Sequence, residues 1–260
     1  MSVYKQILSS DNMQYKNLYM LADSPRFRKQ KGQLLLDGVH LVMAARDAGI
    51  SSDLLVVTKR SRVHPEVAAQ LAVHQGDVIE LSDRLFKTLS STHPEVGLLS
   101  RIDYPKVLQT KQAFVLILEE IQDPGNLGNI LRTAAAADVD TVYLSRGCAD
   151  AYSPRVLRAG QGAHFVLPIH EQVDVLTIAK EFNGEIIVTT PVNGTSLYDT
   201  DLVSPLAIAF GNEGSGISPA LMALATRKIC IPMPGKIESL NVAASVAVCL
   251  FERVRQSRII

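Results

Sequence analysis

Asn126 and Arg132 stand six positions apart in Gln122-Asp123-Pro124-Gly125-Asn126-Leu127-Gly128-Asn129-Ile130-Leu131-Arg132, a loop that runs into an Ala-rich helix. Backbone N–H groups at such a helix start make an anion site. A guanidinium nearly two turns on can lean back over the loop and hold phosphate through two hydrogen bonds. The plain alternative makes Asn126 the helix cap and Arg132 a surface residue. Glu213 lies in a second loop, Gly211-Asn212-Glu213-Gly214-Ser215-Gly216-Ile217-Ser218. Its glycines let backbone approach a ligand closely, with a carboxylate held beside it; the alternative is a tight turn carrying a solvated acid. Ser239 and Asn241 flank Leu240 at the start of the last helix, where simple N-capping by Ser239 competes with a ligand role. The first loop is neither a dinucleotide GxGxxG nor a Walker loop. No Ser/His/Asp arrangement is visible around Ser239. The six histidines have no metal-ligand spacing, and His164 reads as a strand-edge residue.

The elements that must position these loops are short apolar runs without alternation, as expected of strands covered on both faces. They fall at residues 114–118, 141–144, 165–167, 186–189, 206–210 and 229–231. Helical stretches at 127–137, 173–182, 219–225 and 240–255 separate them. This alternation predicts a mostly parallel sheet with helices on both sides. In such sheets ligands bind at the carboxyl edge of the strands, where all three loops fall.

The first hundred residues read as a smaller α/β unit. A helix over 12–32 carries the basic cluster Arg26-Phe27-Arg28-Lys29-Gln30-Lys31, which is either a solvated face or a phosphate contact with Phe27 packing or stacking. Strands follow at 33–36, 54–57, 77–81 and 96–102, with helices at 39–48 and 65–73 and a third capped by Ser82-Asp83. The polar, aperiodic stretch 103–112 reads as the linker.

The chain has 260 residues, 47% of them hydrophobic, with 26 basic and 26 acidic groups. That composition allows a proper core and excludes wholesale disorder. Residues 1–106 hold 14 basic and 11 acidic groups and the rest 12 and 15, a mild bias that suits a polyanion partner at the N-terminal half. Cys148, Cys230 and Cys249 are far apart and read as buried free thiols of a reducing cytosol. The first eleven residues contain no apolar signal region, and the most apolar window, 240–250, is too short to span a bilayer.

In order and at these separations, the three stretches resemble the three motifs of the SpoU/TrmH family of RNA 2′-O-ribose methyltransferases: residues 123–132 the first, 210–218 the second, 231–252 the third. Pro154-Arg155-Val156-Leu157-Arg158-Ala159-Gly160-Gln161-Gly162-Ala163 also resembles the family, with Gly160 where serine is usual. The first unit, from Arg26 through Leu36-Asp37-Gly38-Val39-His40, is similar to the substrate-binding domain of two-domain members, itself similar to ribosomal protein L30e. The resemblance implies an α/β fold with a mostly parallel sheet, helices on both faces and a C-terminal trefoil knot of the SPOUT kind, preceded by a small L30e-like α/β domain. The implied division is 1–106 for RNA binding and 107–260 for the catalytic domain. Periodicity alone would never propose a knot.

By the same resemblance S-adenosylmethionine sits bent in the knot against Gly211, Asn212, Ile231, Leu240 and Thr189. Arg132 activates or orients the ribose hydroxyl, and Asn126, Glu213, Ser239 and Asn241 fix Arg132, the ribose and the loops. An arginine stays protonated, so the proton acceptor is left open. Arg26, Arg28, Lys29, Lys31 and Arg158 are the implied RNA contacts. No metal is required, and the last helix forms a homodimer interface. The expectation is a cytoplasmic RNA 2′-O-methyltransferase acting on ribosomal RNA of the large subunit, with no membrane partner. The alternatives are a tRNA substrate, a non-catalytic RNA-binding or assembly factor on the same fold, and a dinucleotide-dependent oxidoreductase that the absent GxGxxG disfavours.

Overall fold

The computed structural model describes residues 4–90, 93–105, 112–191, 193–203 and 205–257. Two compact units divide the chain. One comprises Met1–Lys106 together with Tyr152–Phe165, the other Val107–Ala151 together with Val166–Ile260. Most of the expected linker, at 106–111, lies outside the described residues.

The first unit has strands β1 (Lys5–Ile7), β2 (Gln33–Asp37), β3 (Ser52–Thr58), β4 (Asp77–Leu81) and β5 (Leu99–Asp103), with helices α1 (Met13–Asp23), α2 (Pro25–Lys31), α3 (Val39–Asp47), α4 (Pro65–Val73) and α5 (Asp83–Leu89). Their order in the sheet is β1-β4-β3-β5-β2. β4 runs parallel to β1 and β3, and β5 antiparallel to β3 and β2. Leu18 and Leu21 of α1 and Phe86 of α5 pack on Leu35, Val56 and Ile79 of the sheet. The expected helix over 12–32 is two helices. It breaks at Ser24, whose backbone is extended and whose hydroxyl accepts from Phe27 N while Pro25 opens α2. The last strand starts at Leu99 rather than Val96.

The second unit carries β6 (Phe114–Leu118), α6 (Pro124–Ala136) and β7 (Thr141–Ser145). The chain then gives α7 (Pro154–Gly160) to the first unit, where it packs against β2. It resumes with β8 (Ile169–Val173), α8 (Val175–Glu181), β9 (Glu185–Thr189), β10 (Thr195–Ser196), β11 (Leu206–Phe210), α9 (Pro219–Leu224), β12 (Arg227–Cys230) and α10 (Val242–Ser257). The seven strands are all parallel in the order β10-β12-β9-β11-β6-β7-β8. Val115, Ile117 and Ala209 share one face with Ala179 of α8 and Leu221 of α9. Leu116, Leu118 and Ile208 alternate to the opposite face and are equally buried. α6 and α10 pack against each other.

Two expectations fail between β7 and β8. Residues 165–167 are not a strand: Ala163–Phe165 is a single 3-10 turn and the strand begins at Ile169. His164 is therefore not at a strand edge but buried in that turn, its ring 5.5 Å from that of Tyr152. Pro168 cannot donate to a ladder, which is the local reason the strand starts after it. All three cysteines are free. Cys249 is buried in α10, and that burial pushes its thiol up to about 12.

Candidate functional site

Parallel pairing brings three expected ligand positions to one edge. Thr189 is level with Ile229 of β12, and Val188 with Ala209 of β11. Thr189, Gly211 and Ile231 therefore lie at the carboxyl ends of three adjacent strands. The Thr189 hydroxyl donates to Ala209 O at 3.2 Å, which ties β9 to β11 at that edge.

The loop after β11 folds on itself. Asn212 N donates to Gly216 O and Gly216 N to Asn212 O, at 3.1 and 2.9 Å. The Asn212 side chain accepts from Gly214 N and Ser215 N at 2.8 and 3.1 Å and donates to Glu120 O at 3.0 Å. Its side-chain amide and its backbone N–H and C=O are thus all engaged in closing and anchoring the loop. A Cβ on Gly211 would lie 2.2 Å from the Gly216 oxygen, so the two loop arms can meet only at glycine. Gly216 itself has φ +71.

Glu213, in this loop, meets Asn126 of the first motif, and Asn126 in turn meets Asn241 of the third. Asn126 Nδ2 donates to Glu213 Oε1 at 2.7 Å, and Asn241 Nδ2 donates to Asn126 Oδ1 at 3.0 Å. Asn241 Oδ1 accepts from Ala243 N at 2.9 Å at the start of α10. The chain is directional, from the α10 amides through two carboxamides to a carboxylate, which fixes how each Asn is turned. The capping alternative holds for neither Asn126 nor Ser239. Asp123 caps α6, accepting from Asn126 N at 2.7 Å, so the Asn126 side chain is free for Glu213. Asn241, not Ser239, caps α10. Ser239 and Leu240 lie exposed ahead of the helix. Arg132 is exposed on the third turn of α6, and among the described residues neither its side chain nor that of Ser239 has a hydrogen-bond partner. Asp123, Glu119 and Glu120 were missed as organising residues; two acids directly after an apolar strand were the signal for the latter pair.

The profile of the SpoU rRNA methylase family matches residues 113–251, which takes in all of the site. The chain belongs to this family. The profile of the MRM3-like substrate-binding domain matches residues 12–99. The chain is 33% identical over 96% of its length to an uncharacterized tRNA/rRNA methyltransferase of Synechocystis, covering 93% of that protein. To the 23S rRNA (guanosine(2553)-2′-O)-methyltransferase of Bacillus subtilis it is 30% identical, covering 95% of this chain and 98% of the relative. A crystal structure of an RNA 2′-O ribose methyltransferase superposes with a TM-score of 0.84 at 30% identity, covering 98% of this chain and 100% of that one. An rRNA methyltransferase from Sinorhizobium meliloti solved with AdoMet bound gives 0.78 at 25% identity, covering 97% and 98%.

Within this family chain the basic cluster of α2 splits. Arg26, Lys29 and Lys31 are exposed, and the Lys31 ammonium lies 5.6 Å from the centre of the Phe27 ring. Arg28 is a correction: it is 2% exposed, and its Nη1 donates to Leu21 O and Ala22 O at 2.7 and 3.2 Å. It satisfies the last carbonyls of α1 and is not available to RNA. Arg158, on α7, has its Nη1 3.7 Å from Asp37 Oδ2; Asp37 is buried and also accepts from the Ser90 hydroxyl. No three His, Cys, Asp or Glu side chains group as a metal site among the described residues, and no described helix is long and apolar enough to cross a membrane.

Proposed function

We propose that this chain transfers the methyl group of S-adenosylmethionine to a ribose 2′-hydroxyl of ribosomal RNA. The observation that carries the reading is the Glu213–Asn126–Asn241 hydrogen-bond chain, which joins one residue from each of the three motifs. The glycine-closed loop and the neighbouring strand ends fit AdoMet, because parallel register brings Thr189, Gly211 and Ile231 to one carboxyl edge, where open α/β sheets bind ligands. Gly211, Asn212, Thr189, Ile231 and Leu240 would hold it, mostly through main chain. When bound it supplies an electrophilic methyl on a sulfonium sulfur. The chain's own residues then orient the hydroxyl for in-line attack. Arg132 is assigned that task, since an exposed guanidinium with no partner can bind ribose or the neighbouring phosphate. Asn126, Asn241 and Glu213 hold the loops in register around it, with Ser239 as an additional contact to the ribose.

Domain 1–106 binds the RNA in this reading, with Arg26, Lys29 and Lys31 on its phosphates and Arg158 at its edge. The strand order supports the knot. The chain adds β12 outside β9 and then returns α10 to α6, with Gln256 accepting from Leu202 N and donating to Thr200 O at 2.9 and 3.0 Å. Phe251 on α10 is 48% exposed and Leu240 before it 40%, apolar surface that suits a second copy in a homodimer. The named bacterial relative acts on 23S rRNA, which favours ribosomal RNA in the cytoplasm.

The test is methyl transfer from labelled AdoMet to separated rRNA and tRNA fractions, followed by digestion to nucleosides. Label in a 2′-O-methylnucleoside from rRNA is expected. Label confined to tRNA would move the substrate, and label on a base would overturn the ribose assignment.

A further inference from the structure

Glu119 and Glu120 follow β6 directly and belong to none of the three motif stretches. Both ends of the Gly211–Ser218 loop hang from them. Glu120 O accepts the Asn212 side chain at the loop entry. The Glu119 carboxylate accepts Ser218 N at 2.7 Å at the loop exit, where Ser218 caps α9 by accepting Leu221 N. Glu119 N donates to Phe210 O at 2.9 Å, so the same residue extends the β6–β11 ladder into the loop base. Glu120 takes φ +57, uncommon outside glycine, and its N donates to Ser145 Oγ at 2.9 Å, which pins this corner to β7. Asn126 lies a few residues further along the same segment and meets Glu213 in the middle of the suspended loop. One corner of the chain thus sets both members of that contact.

We propose that Glu119 is a positioning residue for the methyl-donor site: its carboxylate holds the exit of the glycine loop at the height where the loop's backbone meets AdoMet. This rests on the AdoMet reading above. A half-buried carboxylate accepting a backbone N–H is a charge-assisted bond. Its loss frees the exit while Asn212 still closes the loop internally, so the loop tilts rather than unfolds.

The test compares the full chain with Glu119→Ala and Glu119→Gln by calorimetric titration with AdoMet, steady-state kinetics on rRNA and thermal unfolding. Glu119→Ala should weaken AdoMet binding roughly tenfold or more, with the KM for RNA unchanged. Glu119→Gln, which keeps an acceptor oxygen, should return binding to within about threefold of wild type. If Glu119→Ala binds AdoMet as wild type does, or if it only lowers the melting temperature, the positioning role is overturned. If glutamine fails to rescue, the acceptor argument is overturned. A wild-type chain that binds no AdoMet would instead overturn the underlying reading.

Discussion

Arg132 and Asn126 sit on one helix yet are expected to fail differently when removed. The exposed Arg132 guanidinium has no hydrogen-bond or ion-pair partner among the described residues, so Arg132→Ala should leave folding and AdoMet affinity within about twofold while kcat falls roughly a hundredfold or more. Unchanged turnover would remove it from the mechanism. Asn126 is held by Glu213 and Asn241 but does not cap its helix. Asn126→Ala should therefore cut the rate at little cost in stability. Asp123→Ala, which removes the actual cap, should lower stability by about 1 kcal/mol in urea unfolding. The reverse pattern would return Asn126 to a purely structural part.

Elements decide what their residues are free to do. α2 looked like a uniform basic helix, but its pairing with α1 turns Arg28 inward to the carbonyls that end α1. Arg28→Ala should therefore cost about 1–3 kcal/mol of stability, as expected of a buried charged donor. Charge reversal at Arg26, Lys29 and Lys31 should leave stability nearly unchanged and raise the KM for rRNA, with a reduced salt slope. An unchanged KM would leave these three as a solvated face. α10 gives a pH signature. The Cys249 thiol is raised from 9.0 to about 12 by burial. Its contribution is therefore full below about pH 9, where the unfolded thiol is still protonated, and is lost as pH rises toward 12. Stability should fall across that window by at most about 1.4 kcal/mol per pH unit from this group, and Cys249→Ala should flatten the slope. An identical slope in the variant would place the titration elsewhere.

At the scale of the molecule, the chain crosses between its two compact units three times, because α7 and the turn after it belong with the first unit although they fall between β7 and β8. Val156, Leu157 and His164 are buried there, and a Cβ on Gly162 would meet Ala44 at 2.8 Å. A fragment of residues 107–260 would strip the cover from this segment. It should be cut by protease first within 152–165, at sites that resist in the full chain. Equal resistance in the fragment would show that α7 finds its own packing.

The sequence by itself determined the strands whose residues are buried on both faces. β6 and β11 are fully apolar over five residues, a length and composition that favour a strand covered on both faces over a buried helix. It also determined the three loops, because their glycines and amides have few other uses at strand ends. It did not determine where polar side chains point. Arg28 and Lys29 are neighbours of the same charge, and only the packing of α2 against α1 sends one into the carbonyls and leaves the other at the surface. Nor could it say which residue caps each helix, since Asp123, Asn126, Ser239 and Asn241 are all competent acceptors or donors. The choice follows from the Glu213 carboxylate, which arrives at Asn126 from 87 residues further along the chain. Contacts of that separation cost chain entropy that local sequence does not register, and it is the packed parallel sheet, by fixing strand ends side by side, that makes them.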